Sequence, residues 1–337
     1  MKRIIAVLMI MIYIAIMCGC SQESAGNAQK DNDGRISIVT TVFPEYDWVI
    51  QVLGDKADGA DVKLLLDHGV DLHSYQPTID DVSGISACDL FIYVGGESDE
   101  WVENVLENAA NDEMIVINLM ETLGDSIKEE EMVEGMQESG LSHDHDEDEE
   151  HDQHSGEIEY DEHVWLSLKN AGIICDKIAE ALTGLDPDNG DSYAKNADKY
   201  ARQLDELDLK YREAVENATV KTLLFGDRFP FRYLVDDYGL KYYAAFVGCS
   251  AETEASFETI VFLAGKADEL KLPVVLRIET GDEKLARTII ENTAAKDQEL
   301  LVLDSMQAVT MKDIQNGKTY ISIMQSNLEV LKKALGL

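Results

Sequence analysis

From residue 188 to 218 the chain has no proline and, after Gly190, no glycine, while Tyr193, Ala197, Tyr200, Leu204, Leu207, Tyr211 and Val215 recur at three- and four-residue spacing. The pattern predicts one amphipathic helix of about eight turns. Such a rod needs partners along its apolar stripe, and the flanking sequence supplies them. Upstream, residues 36–42, 62–66, 90–94 and 114–119 are short apolar or β-branched runs followed by turn residues and helical spacing, as in Trp48, Val49, Val52 and Leu53 before Gly54. Residues 163–182 also read as helix. Downstream, runs at 222–225, 241–246, 274–278 and 300–303 repeat the alternation. Strands that alternate with helices form parallel sheets covered on both faces. The predicted fold class is therefore α/β, with two lobes, each a parallel sheet flanked by helices, joined by one long rigid helix with a ligand cleft between them. The expected boundaries are 36–187 for the first lobe, 188–218 for the linking helix and 219–337 for the second lobe.

The N-terminus specifies a compartment. Lys2 and Arg3 precede an apolar run from residue 4 to 17, and Met17-Cys18-Gly19-Cys20 follows. This is the order of a secretory signal, too short for a confident membrane span. It resembles the lipobox of bacterial lipoproteins, which would make Cys20 the lipid-bearing residue, followed by a flexible tether over 21–35. The expected location is outside the cell membrane and anchored to it. After cleavage three cysteines remain, Cys88, Cys175 and Cys249. An odd number excludes a complete disulfide framework. Cys88 and Cys175 lie in apolar contexts and read as small core residues, whereas Cys249 lies in a loop and its role stays open.

Charge narrows the partner. Lys+Arg number 28 against 66 Asp+Glu, a formal net charge of -38. No nucleic-acid partner is expected, since a phosphate backbone needs a concentrated basic face. A cation suits the chain better. The acid is concentrated: residues 129–162 hold 16 Asp/Glu and no Lys or Arg. Within that stretch His143, His145, His151 and His154 alternate with carboxylates, four of the protein's seven histidines in thirteen residues. Such a low-complexity loop cannot bury a core, and its composition suits weak, exchanging metal sites as well as a solvated charge run.

The other histidines are His68, His73 and His163. His73 follows the strand expected at 62–66, and Asp161-Glu162-His163 is expected to open a helix with its acids at the N-terminus. Taken singly, a loop histidine more often satisfies a hydrogen bond than it binds metal.

Several separated motifs carry a resemblance. Thr40-Thr41-Val42-Phe43-Pro44, Leu72-His73-Ser74-Tyr75-Gln76-Pro77-Thr78, Asp161-Glu162-His163-Val164-Trp165-Leu166, Phe231-Arg232-Tyr233-Leu234 with Tyr238-Gly239-Leu240, and Leu301-Val302-Leu303-Asp304 occur in the order and spacing of the zinc/manganese solute-binding proteins of ABC transporters. The resemblance implies a divalent ion held between two lobes, with His73 and His163 as ligands from the first and Asp304 as a carboxylate ligand from the second. A plain helix N-cap after a strand is the other reading of Asp304. Zinc-type members carry a similar His-rich acidic loop, and imidazole suits zinc better than manganese. The family pattern breaks at Arg228, where members carry His or Glu; a guanidinium has no lone pair for a cation. Replacement donors are Asp227, Cys249, Glu252, Glu254, Glu279 and His68, each with an ordinary structural reading as well. Arg228 is expected to pair with one of the acids among them.

No Gly-x-Ser-x-Gly, His-Glu-x-x-His, P-loop or dinucleotide glycine fingerprint occurs, so no catalysed reaction is expected. The expected function is the binding component of a metal importer: a monomeric lipoprotein that captures Zn2+ and passes it to an ABC permease. Mn2+, Fe2+ or a chelated metal is the alternative cargo, and a zinc hydrolase or a surface adhesin the alternative use of the fold.

Overall fold

The structure, a computed structural model, describes residues 34–137, 159–250 and 254–337. Cys20, His143, His145, His151, His154 and Glu252 lie outside the described residues. Among the described residues no helix is long and apolar enough to cross a membrane.

Four strands form the first sheet: β1 (Ile36–Thr40), β2 (Ala60–Leu64), β3 (Leu90–Tyr93) and β4 (Ile115–Asn118). They lie in the order β2-β1-β3-β4 and every pairing is parallel. The second sheet repeats this with β5 (Thr222–Phe229), β6 (Lys241–Val247), β7 (Val274–Arg277) and β8 (Glu299–Val302), in the order β6-β5-β7-β8. In both, the strand order reverses at the first strand, which places a crevice beyond the carboxyl ends of its neighbours. β5 runs four residues past the expected run because a register shift between Phe225 and Arg228 carries it through Gly226-Asp227, which by composition reads as a turn. β2 begins two residues earlier than the apolar run, at Ala60.

The long helix is present as α6 (Gly190–Asn217), about 42 Å at 1.5 Å per residue. Its predicted stripe is buried: Tyr193, Ala197, Tyr200, Leu204, Leu207, Tyr211 and Val215 all face inward. It packs on α1 (Phe43–Leu53) and α5 (Leu168–Leu185) and further along on α11 (Tyr320–Ala334). One buried carboxylate stitches three of these elements. Asp47 on α1 accepts hydrogen bonds from Tyr200 Oη (3.2 Å) and from the backbone N–H of Tyr320 (3.2 Å). Burial raises its pKa to about 6, against the hydrogen bonds from Tyr320, Gln51 and Tyr200.

The main hydrophobic core is continuous between the two sheets, running from Ile38, Trp48 and Phe91 through Trp165 and Tyr211 to Phe225, Tyr320 and Leu331. A smaller cluster around Leu224, Leu263, Val275 and Ile289 lies under the second sheet. Cys88 and Cys175 belong to the main core, as their apolar neighbours imply.

Candidate metal centre

Each candidate donor from the two sheets follows the carboxyl end of a strand. His73 sits in a single 3-10 turn, Leu72–Ser74, after β2. Asp71 caps that turn by accepting the His73 backbone N–H at 3.1 Å. Its other oxygen accepts from Arg228 Nη2 at 2.6 Å, and Arg228 Nη1 donates to the Ser250 carbonyl at 3.2 Å. Arg228 therefore pairs with an acid of the first half of the chain, not with Asp227, Glu252, Glu254 or Glu279. Sequence distance hides this pair, which joins positions 157 residues apart. Next to the guanidinium and the cap, and despite its own burial, the Asp71 carboxyl sits below the ordinary carboxylate range.

His163 is fully buried and precedes a 3-10 turn, Val164–Leu166; the helix α5 begins only at Leu168, capped by Ser167. The expected role of Asp161 at a helix start is corrected accordingly. Asp161 Oδ1 instead accepts from the His163 backbone N–H at 2.8 Å and lies 3.1 Å from its Nδ1. The other half of the chain pins the segment: Trp165 Nε1 donates to the Ser305 carbonyl at 2.9 Å, and Tyr320 Oη donates to the Trp165 carbonyl at 2.7 Å. Tyr233 on α7 (Arg232–Tyr238) donates to the Asp161 carbonyl at 2.8 Å and accepts from the Lys128 N–H at 3.0 Å. Asp161 N–H and Glu130 N–H in turn donate to the carbonyls of Lys128 and Glu159, and Glu129 and Tyr160 form an antiparallel bridge.

The two imidazoles face each other, with His73 Nε2 and His163 Nε2 3.3 Å apart. Their Nδ1 atoms are both engaged. His73 Nδ1 lies 2.7 Å from Ser98 Oγ and 3.4 Å from Glu162 Oε2, which is buried and otherwise has no hydrogen-bond partner. The Nδ1 partners of both rings fix the tautomer that leaves the Nε2 lone pairs converging on one point. A tetrahedral zinc with Zn–N bonds of 2.0–2.1 Å sets two ligand nitrogens about 3.3–3.4 Å apart. The residues therefore fit such an ion. Gly96 makes the approach possible. Its φ is 85°, and a Cβ there would meet Glu162 Oε1 at 2.4 Å, displacing the carboxylate that accepts the Ser98 N–H at 2.9 Å.

Burial and the neighbouring His163 push the His73 pKa down to about 3, so this ring is neutral at physiological pH. His163 moves the other way. Burial lowers its pKa, but the charge and hydrogen bond of Asp161 outweigh burial and raise it.

The donor group among the described residues consists of His73, His163 and Cys249, whose ligand atoms all lie within 4.8 Å of one another. Asp304 stands outside it. Its Oδ1 accepts the Met306 N–H at 2.8 Å and closes the turn after β8, while Oδ2 lies 3.9 Å from Lys318 Nζ. Glu279 is committed to the same turn, accepting from Ser305 N–H (2.7 Å), Ser305 Oγ (2.8 Å) and Gln307 N–H (3.1 Å). Asp227 accepts the Arg228 and Ile278 N–H groups and ties β5 to β7. Glu254 is exposed and His68 is a surface residue beside Asp67. A cavity of about 250 Å³ reaches His73 and Cys249 past the carboxylates of Glu97, Glu130, Glu159 and Glu162, a path that favours a cation.

Comparison with known proteins agrees with this geometry. A family model described as zinc-uptake complex component A, periplasmic, matches residues 38–334. The zinc-binding lipoprotein AdcA of Streptococcus pneumoniae is 31% identical over 324 residues, covering 96% of this chain. The chain spans 60% of that relative's length. The high-affinity zinc uptake system protein ZnuA of Bacillus subtilis is 28% identical over 322 residues, covering 95% of this chain and 94% of that protein. Among solved structures, the Zn(II)-bound ZnuA-like domain of Streptococcus pneumoniae AdcA superposes with a TM-score of 0.68 at 29% identity, covering 90% of this chain and 100% of the domain. The metal-dependent lipoprotein YcdH of Bacillus subtilis gives 0.70 at 27% identity, with 90% and 100% covered.

Proposed function

This chain belongs to the zinc-uptake complex component A family, and on that premise we propose that it captures one Zn2+ per molecule between the ends of its two sheets and hands it to an ABC permease. The observation that carries the reading is the pair of converging Nε2 atoms at 3.3 Å, each ring oriented from behind by an oxygen partner. His73 and His163 are the anchoring ligands. Asp304 is the carboxylate donor of the second half: its Oδ2 keeps only the distant Lys318 ammonium, so a small approach of the sheet ends lets it join. The relatives named for zinc binding and zinc uptake support the cargo. Mn2+ and Fe2+ are disfavoured by the predominance of imidazole over oxygen donors.

The protein acts outside the membrane as a monomer tethered by a lipid on Cys20, the location implied by its signal-like N-terminus and by relatives named as lipoproteins. It catalyses no reaction. The carboxylates along the cavity attract the ion, and the permease releases it by separating the sheet ends. The acidic His-rich stretch holding His143, His145, His151 and His154 gathers cations near the cavity mouth.

Titration of metal-free protein with Zn2+ against a chromophoric chelator tests the reading. One tight site per chain is expected, lost in His163→Ala and poorly filled by Mn2+. A wild-type protein that binds Mn2+ as tightly as Zn2+, or a His163→Ala variant that keeps the tight site, overturns it.

A further inference from the structure

Two imidazoles alone make a weak site, and Arg228 offers no lone pair: its guanidinium is committed to Asp71 and the Ser250 carbonyl. We propose that Cys249 is the third protein ligand, its Sγ binding as a thiolate the same ion that His73 and His163 hold. The assignment rests on the zinc-capture reading and adds to it a soft donor from the second half of the chain. Three observations carry it. The Cys249 ligand atom lies within 4.8 Å of those of both imidazoles, a spacing that no other described His, Cys, Asp or Glu matches. Cys249 and His73 line the same cavity, so an ion entering past the carboxylates meets both. The backbone delivers the side chain there by construction. Cys249 follows β6 by two residues, and its N–H donates to Glu130 Oε1 at 3.1 Å. Gly248 lets the strand end press against the imidazole, since a Cβ at that position would meet the Phe229 carbonyl at 3.0 Å and His163 Cε1 at 3.2 Å.

Binding exchanges an S–H bond for an S–metal bond. The proton passes to water, no atom changes oxidation state, and one charge of the dication is neutralised. A His2Cys set with a fourth position for Asp304 or water is within the range of tetrahedral zinc sites. Thiolate favours zinc over manganese, which prefers carboxylate, carbonyl and water. Cys249 is thus the specificity-determining donor, and the site departs from an all-imidazole and carboxylate composition.

Cobalt(II) is the direct probe, because a thiolate ligand gives an intense near-ultraviolet sulfur-to-cobalt charge-transfer absorption that imidazole and carboxylate do not. Metal-free full-length chain titrated with Co2+ should develop this band and saturate at one equivalent. Cys249→Ser should lose it while keeping the wild-type melting temperature without metal, and Asp304→Asn should retain it. Zinc affinity in Cys249→Ser should fall by more than the tenfold that loss of an outer-sphere partner already produces. The preference for Zn2+ over Mn2+ should narrow in parallel. Absence of the band from wild-type protein that still binds one Zn2+ through His163 overturns the thiolate assignment and leaves the capture reading standing. Absence of any bound metal overturns both.

Discussion

The two sheets share one strand order, yet their carboxyl ends treat donor atoms in opposite ways. On the side of the first sheet, His73 and His163 have their rings turned by Ser98 and Asp161 so that the outer nitrogens are offered to a common point. On the side of the second, Asp227, Glu279 and Asp304 each spend carboxylate oxygens on backbone N–H groups of their own loops. Only Cys249 keeps a ligand atom near the imidazoles. Availability of a donor is therefore decided by how its loop satisfies its backbone, since an acid that holds a turn together gives up that turn when it turns to a metal.

The comparison can be broken at its strongest point first. His163→Ala should lower zinc affinity more than about a hundredfold, beyond the range of outer-sphere losses, as read by chelator competition; a smaller loss would mean that the first half is not the anchor. Glu279→Ala should show the reverse pattern. It strands Ser305 N–H, Ser305 Oγ and Gln307 N–H, which should cost about 3 kcal/mol and several degrees in melting temperature, with the surviving folded protein binding zinc within about tenfold of wild type.

Acidity offers a milder separation. Because Asp161 raises the pKa of His163 against its burial while His73 stays neutral, the competing proton sits on His163. Zinc binding at pH 5.5 should be at least about tenfold weaker than at pH 7.5. The sign for the metal-free fold is opposite: a raised histidine pKa stabilises the fold fully below the ordinary value and loses that contribution as pH rises through the folded one. Zinc should thus raise the melting temperature more at pH 7.5 than at 5.5. The smallest effect belongs to His68, whose side chain is 85% exposed beside Asp67. His68→Ala should leave affinity unchanged within about twofold, and a larger loss would extend the donor set beyond the sheet ends.

Much of this was legible before any coordinates. The stripe from Tyr193 to Val215 identified α6 because a long uninterrupted helix must bury one face, and the apolar runs marked all eight strands to within a few residues. His73 and His163 were legible through their motifs, and Cys88 and Cys175 through their apolar surroundings. The remainder depends on contacts that no local pattern encodes. Arg228 finds Asp71 across the molecule, Ser98 and Glu162 orient His73 from different loops, and Glu279 serves a turn 26 residues away. Asp304 and Cys249 exchange prominence for the same reason: each is a donor by residue type, and only the loop around it decides what that donor is free to do.

The hydroxyl of Tyr233 holds Lys128 and Asp161 together, and the short ladder from 128–130 to 159–161 closes the base between them. Whatever is threaded between those two positions begins and ends at fixed points, so its length and makeup are decoupled from the placing of His163. Doubling a flexible segment adds only about 0.6 kcal/mol of closure entropy. Evolution can thus lengthen, shorten or recompose this acidic appendage as metal supply demands, and graft it between related proteins, while the neighbouring imidazole stays where it is.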